Sequence, residues 1–390
     1  ERPLLGVPVA VKDNMDVAGE VTANGTSAAG GPAHADGPLV ARLRGAGAVI
    51  LGRTRTPELC IWGFTETATF GRTANPWDTG RTSGGSSGGS GAAVAAGLCA
   101  AATASDGLGS IRIPASLNGL YGLKPQRGRV PMEIDPHWNG MSVFGGLTRS
   151  VTDAGLFLDV AAASGTRYAD AAARRPGKLR IAWSSKLPAT VVAPLDPAVE
   201  KALADFAELL SSLGHEVEQR DPDYGPIALN STLRYLKGVR DDVDALPHPE
   251  RLERRTRAVA RIGRLLPESL LQRAMADAPA LTARVGRLWD DFDVVLTPVT
   301  SKPATEVGKY EGHGALWTMN GEIADVAAYC PVWNVTGQPA ASVPAGFTHT
   351  GLPLAVQMIG RTDGEETLLS LGAQVEAERP WANRRPPASV

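Results

Sequence analysis

Apolar positions recur along the chain with two alternating periods, and together they predict an α/β fold. Val7, Val9 and Val11, interleaved with Pro8 and Ala10, form a short β-rich run that ends on Lys12. That is the pattern of a side chain presented from the end of a buried strand. Gly37-Pro38 opens a helix with Leu39, Val40 and Leu43 on one face, and Ala48-Val49-Ile50-Leu51 follows as a strand. Residues 60–78 read as loops in which Cys60, Trp62 and Phe64 are candidates to line a pocket. An Ala-rich helix over Ser90–Cys99 and a strand over Ala100–Ser105 come next. Residues 126–150 are punctuated by Gly and Pro and read as a loop carrying Met132, His137, Trp138 and Phe144. Thr152-Asp153 is expected to cap a helix through Ala163.

Residues 178–219 read as a β-α-β unit. Leu179–Trp183 is a strand, Val199, Leu203, Phe206, Leu210 and Leu213 recur at helical spacing before Gly214, and His215–Glu218 alternates as a second strand. Residues 226–292 are expected to be mostly helical. Phe292–Pro298 is a buried strand, Ala341–Val343 and Ala355–Ile359 are further sheet, and Glu365–Glu378 is a closing helix. Strands alternating with helices imply a sheet covered by helices.

Charge and cysteine usage narrow the class. The 390 residues carry a formal net charge of −2, which argues against a nucleic acid or a membrane surface as the main partner. Residues 226–292 are rich in Arg, including Arg251, Arg254, Arg255, Arg257 and Arg261, with Glu and Asp interleaved through the stretch, and read as a solvated face. Cys60, Cys99 and Cys330 are scattered and odd in number, which fits a reducing, cytoplasmic setting and no disulfide framework. The six histidines show no metal-ligand spacing, so no metal is expected. No run of about 20 apolar residues occurs, so no membrane span is expected. The chain opens on Glu1 almost directly before a strand, so an N-terminal helical segment, with any targeting signal in it, is expected to be missing.

The chemistry concentrates in Thr82–Pro125. Two glycine-rich corners, Gly84-Gly85-Ser86-Ser87-Gly88-Gly89 and Gly107-Leu108-Gly109-Ser110, flank the Ala-rich segment. A Gly/Ser run is commonly a flexible tether, but these flanks are too apolar and too helical for one. A phosphate-binding P-loop would need a lysine after its last glycine, and none is present. Gly84-Gly85-Ser86-Ser87-Gly88 matches the nucleophile-elbow pattern of α/β-hydrolase-like esterases, yet the polar residues 74–83 make a poor central strand to feed it. The remaining reading brings the corners together. Ser86 and Ser110 lie 24 positions apart, and a helix followed by a strand would return one corner to the other. Two hydroxyls need a base, and Lys12 is the candidate. Lowering its pKa from about 10.4 toward 7 costs about 4–5 kcal/mol, which burial can impose. A Lys12–Asp13 ion pair is the alternative.

The chain resembles the amidase signature family of serine hydrolases. The resemblance rests on Gly6-x-Pro8-x-x-x-Lys12-Asp13, the Gly84–Gly89 corner, and Ser105-Asp106-x-x-Gly109-Ser110-Ile111-Arg112-x-Pro114. It continues with Gly119-x-x-Gly122-Leu123-Lys124-Pro125, Asn334-x-Thr336-Gly337-x-Pro339-Ala340 and Gly351-Leu352-Pro353 through Gly360. It implies a single α/β/α layered domain around a large mixed sheet, with residues 220–292 as a variable helical lid. It implies a Ser–cisSer–Lys triad: Ser110 as nucleophile, Ser86 as proton relay after a cis peptide bond, and Lys12 as general base. Backbone N–H groups of Gly107, Leu108, Gly109 and Ser110 would hold the oxyanion, Ser105 would orient the relay serine, and Asp106 and Arg112 would fix the loop. Leu108 stands where many members carry Gly, which adds apolar bulk beside the acyl group.

The implied reaction is hydrolysis of an amide through an acyl-enzyme, extending to aryl amides, carbamates or esters, with no cofactor. The implied partners are a small amide-type substrate and a second copy of the chain in a homodimer. The A-type subunit of the glutamyl-tRNA amidotransferase and a non-catalytic binding protein are the competing readings. The former typically carries Gln where Ile113 stands.

Overall fold

The computed structural model describes residues 2–162 and 164–387. Its centre is a ten-stranded mixed sheet. In chain order the strands are β1 (Pro8–Lys12), β2 (Val49–Thr54), β3 (Ala101–Asp106), β4 (Tyr121–Lys124) and β5 (Val143–Thr148). They are followed by β6 (Arg180–Trp183), β7 (Glu216–Gln219), β8 (Val294–Pro298), β9 (Ala340–Phe347) and β10 (Pro353–Gly360). Across the sheet they run β7-β6-β8-β10-β9-β4-β5-β3-β1-β2. The outer groups β2-β1-β3 and β7-β6-β8 are parallel, and the middle is antiparallel.

This order explains the hydropathy. Strands covered on both faces lose alternation and become continuously apolar or small, as in β3, β5, β8 and β10, which are buried throughout. The β-α-β unit at one edge closes as expected. Helix Pro197–Ser212 is capped by Asp196, whose carboxylate accepts the Ala198 N–H at 2.8 Å, and its strands pair in parallel. Phe206 and Leu210 face the sheet and are fully buried. The closing helix spans Glu365–Glu378.

Three local expectations change. The stretch 126–150 is not all loop, since Val143–Thr148 forms β5 between β3 and β4. Gly145 and Gly146 look like punctuation but make room instead. A Cβ at Gly145 would sit 2.8 Å from the Leu123 carbonyl, and one at Gly146 would sit 2.7 Å from the Phe157 ring. The segment 60–82 contains two small ribbons, Glu66–Thr67 with Gly71–Arg72 and Ala74–Asn75 with Asp78–Thr82. Ser150, rather than Thr152 or Asp153, caps the next helix: its hydroxyl accepts the Asp153 N–H at 3.1 Å. That helix spans Val151–Ala162, and Ala163 lies outside the described residues.

Residues 227–291 fold into four helices, Ile227–Asp244, Arg254–Leu265, Glu268–Gly286 and Leu288–Asp291. Arg251, Arg254 and Arg261 are exposed, as a solvated face requires. Arg255 departs from it and lies over the rings of Trp62 and Phe64, at 5.6 and 5.1 Å. No helix among the described residues is long and apolar enough to cross a membrane.

Candidate active site

Lys12 ends β1, an interior strand held between β2 and β3. Val9 and Val11 are buried before it, and its own side chain is fully buried. Nζ donates to Ser86 Oγ and to Ser105 Oγ, each at 2.7 Å. The ion pair with Asp13 does not form, because Asp13 takes the Arg53 guanidinium at 2.7 Å. Burial lowers the Lys12 pKa, and the nearby Cys60 and Asp106 only partly oppose it. An amine in this setting is poised to lose its proton.

The first corner brings Ser86 to that amine. The Gly85–Ser86 peptide is cis, and Gly84 has φ +76°. Thr65 and Thr56 hydroxyls donate to the carbonyls of Gly84 and Ser86, each at 2.9 Å. Gly85 is a steric requirement, since a Cβ there would meet the Phe64 N at 2.6 Å and the Trp62 carbonyl at 2.7 Å. Helix Gly88–Ala96 leaves this corner and β3 returns beside β1. A helix and then a strand thus fill the interval between the two corners, and among the described residues Ser86 Oγ meets Lys12 Nζ rather than the Ser110 hydroxyl.

The second corner is wrapped around the Asp106 carboxylate. Oδ1 accepts the Gly109 N–H at 2.7 Å and Oδ2 accepts the Ile111 N–H at 3.2 Å. Arg112 closes a two-point contact on the same group, Nε to Oδ2 and Nη2 to Oδ1, both at 2.9 Å. Both side chains are fully buried. Burial alone would raise the Asp106 pKa; the Arg112 guanidinium outweighs it and holds the carboxyl well below the usual range. The remaining Arg112 donors reach the Cys330 carbonyl and Gln357 Oε1, each at 3.1 Å, and Asn334 Oδ1 at 2.6 Å. Asn334 Nδ2 returns to Asp106 Oδ1 at 2.8 Å. A buried pair is stable only when its remaining donors and acceptors are met, and here distant segments meet them.

This hub revises two assignments. Gly109 does not offer its N–H to an oxyanion, because Asp106 occupies it. Its conformation, φ +124°, and its closeness to Cys330 still demand glycine. The amides of Gly107, Leu108 and Ser110 meet no protein acceptor among the described residues. Ser105 touches Lys12 rather than Ser86, and it also accepts from Asn14 Nδ2 at 3.1 Å.

Ser110 is partly exposed and opens into a cavity of about 110 Å³ walled by Leu108, Ile113, Trp138, Ile227 and Val332 among others. Cys60 and Trp62 line it as expected. Phe64 lies behind Trp62, stacked on Tyr310 at 4.5 Å. No histidine lines the cavity among the described residues. His137 instead bonds Ser142 at 2.7 Å and Asp242 at 3.2 Å, linking the loop before β5 to helix Ile227–Asp244. Sequence reasoning missed Asn14, Gln357 and Glu322. The first two were polar residues beside recognised motifs, but Glu322 ends an unremarkable helix, Ala315–Glu322, and carried no signal.

The layered sheet and its covering helices are those of the amidase-signature enzymes. The structure aligns with 6-aminohexanoate cyclic dimer hydrolase complexed with substrate at TM-score 0.91, with 29% identity over 100% of this chain and 88% of that one. It aligns with the peptide amidase of Stenotrophomonas maltophilia at TM-score 0.80, with 26% identity over 99% of this chain and 84% of that one. In sequence the chain is 48% identical to the putative amidase AmiB2 of Mycobacterium tuberculosis H37Rv over 395 residues, 99% of this chain and 85% of that protein. The family model described as Amidase matches residues 1–369. The chain therefore belongs to the amidase signature family and is a hydrolase acting on amides.

Proposed function

We propose that the protein hydrolyses amides through an acyl-enzyme on Ser110, with Ser86 as relay and Lys12 as base. The observation that carries this reading is the buried Lys12 amine held at 2.7 Å from the Ser86 hydroxyl. A neutral amine has two N–H donors and one lone pair. Donating to Ser105 leaves the lone pair free for the Ser86 proton. Ser86 then takes the proton of Ser110 as the Ser110 oxygen bonds to the substrate carbonyl carbon. The oxyanion is met by the amides of Leu108 and Ser110, with Gly107 beside them; one such donor is worth about 3–4 kcal/mol in a transition state. Collapse breaks the C–N bond, and the proton returns from Lys12 through Ser86 to the leaving nitrogen. Water repeats the sequence and frees the acid. The apolar walls favour an apolar acyl group, with residues 220–292 acting as a lid within a single domain.

Ile113 in the cavity wall weighs against the amidotransferase reading. Ammonia release from glutamine only with added partner subunits would reverse that judgement. The direct test is intact-mass analysis after treatment with a fluorophosphonate. Wild type gains one adduct, and Ser110→Ala gains none. An unlabelled wild type would reject the acyl-enzyme.

A further inference from the structure

Among the described residues lining the cavity, Glu322 is the carboxylate, and it keeps an unspent bonding position. Among the cavity's lining hydroxyls, Tyr235 donates to the Ile61 carbonyl at 3.0 Å, and Ser231 and Thr232 both donate to the Ala228 carbonyl at 2.9 Å. Glu322 is different. One carboxylate oxygen, Oε1, accepts the Gly63 N–H at 2.6 Å, and the other has no partner among the described residues. Gly63 is needed for this approach, since a Cβ there would lie 2.8 Å from Oε1.

Among the described residues no cation pairs with Glu322. Arg255, the charge that acts on it from a distance, is spent on Glu253 at 2.8 Å and on the Glu66 carbonyl at 3.0 Å. Asp325 shows the contrast: three positions along the same segment, it is saturated by Lys302, Lys309 and Tyr310. Burial pushes the Glu322 pKa up to about 8, against the Gly63 N–H and Arg255. A carboxyl kept short of counter-charges in an apolar cavity gains most from a ligand that brings its own.

We infer that Glu322 is a specificity-determining residue that receives a primary ammonium group of the substrate, remote from the scissile amide. The preferred substrates are thus amides with an apolar spacer ending in an amine. This rests on the reading of Ser110 as nucleophile, because that fixes which part of the substrate reacts.

The experiment has two arms. In the first, an ω-aminoacyl p-nitroanilide is compared with the alkanoyl p-nitroanilide of equal chain length. Wild type is expected to favour the amino compound at least tenfold in kcat/KM, chiefly through KM. In Glu322→Gln, which still accepts the Gly63 N–H, the ratio should fall to about one. A wild-type ratio near one, or a preference that survives in Glu322→Gln, overturns the inference. The second arm needs no turnover: hexylammonium should raise the melting temperature of wild type more than 1-hexanol does, and Glu322→Gln should lose the difference. Equal shifts in wild type also overturn it. Absence of turnover with this shift intact would instead sink the serine-nucleophile reading alone.

Discussion

The two walls of the cavity are built on opposite principles. On one side, the corner at Ser110, with the Ser86 corner behind it, is fixed by buried polar contacts that span the chain, from Lys12 to Gln357. Each partner is specific in chemistry and direction, so few other residues would serve. On the other side, helix Ile227–Asp244 and the segment around Met319 supply apolar surface. There volume and shape matter, and many sequences meet them. The difference teaches that the reacting groups are held by specific polar partners, whereas the opposite wall is held chiefly by packing, with Glu322 as its charged exception.

The strongest test of that contrast is Lys12→Ala. Turnover should fall about 10⁴-fold with circular dichroism unchanged, and near-normal turnover in a folded variant would remove the base from the argument. In wild type, kcat/KM should rise with pH as the burial-lowered Lys12 loses its proton. Next, Arg112→Met strands the buried Asp106 charge and should cost about 3–5 kcal/mol in urea unfolding. Arg261→Met, on the exposed face of helix Arg254–Leu265, should stay within about 0.5 kcal/mol. Similar costs at both positions would dissolve the distinction.

The third test is pH dependence, for which the two sides have opposite signs. Burial, with Arg112 nearby, lowers the Lys124 pKa from 10.5 to about 7. Between those values the unfolded chain binds more protons than the folded one. The Lys124 contribution is therefore present above 10.5 and is lost as pH falls through 7, by up to about 1.4 kcal/mol per pH unit. Glu322 is raised from 4.5 to about 8, so its contribution is present below 4.5 and is lost as pH rises through 8. Urea unfolding across these windows, compared with Lys124→Met and Glu322→Gln, should give slopes of opposite sign. The smallest effect is expected from Leu108→Gly. It should enlarge the cavity and shift kcat/KM about tenfold toward bulkier acyl groups, as a panel of p-nitroanilides would show.

The same contrast decided what the sequence disclosed. Strand β1 with its terminal lysine, the helix and strand between the two corners and the Asp106–Arg112 pair were legible because each demands particular residues at fixed spacing. β5 was not, because Gly145 and Gly146 serve neighbours 22 positions upstream and 11 downstream, at Leu123 and Phe157. The occupied Gly109 amide was also hidden, since a motif names residues but not where their N–H groups point. Glu322 lies on the packing side, where a lone acid at a helix end looks like any surface charge.

The Arg112 hub has a consequence for biosynthesis. Its acceptors at Cys330, Asn334 and Gln357 leave the ribosome more than two hundred residues after Arg112 itself. Until they emerge, the guanidinium lacks most of the sites that hold it, and the loop carrying Ser110 lacks its brace. The loop carrying Ser110 is therefore fully braced only once the chain has been made through Gln357.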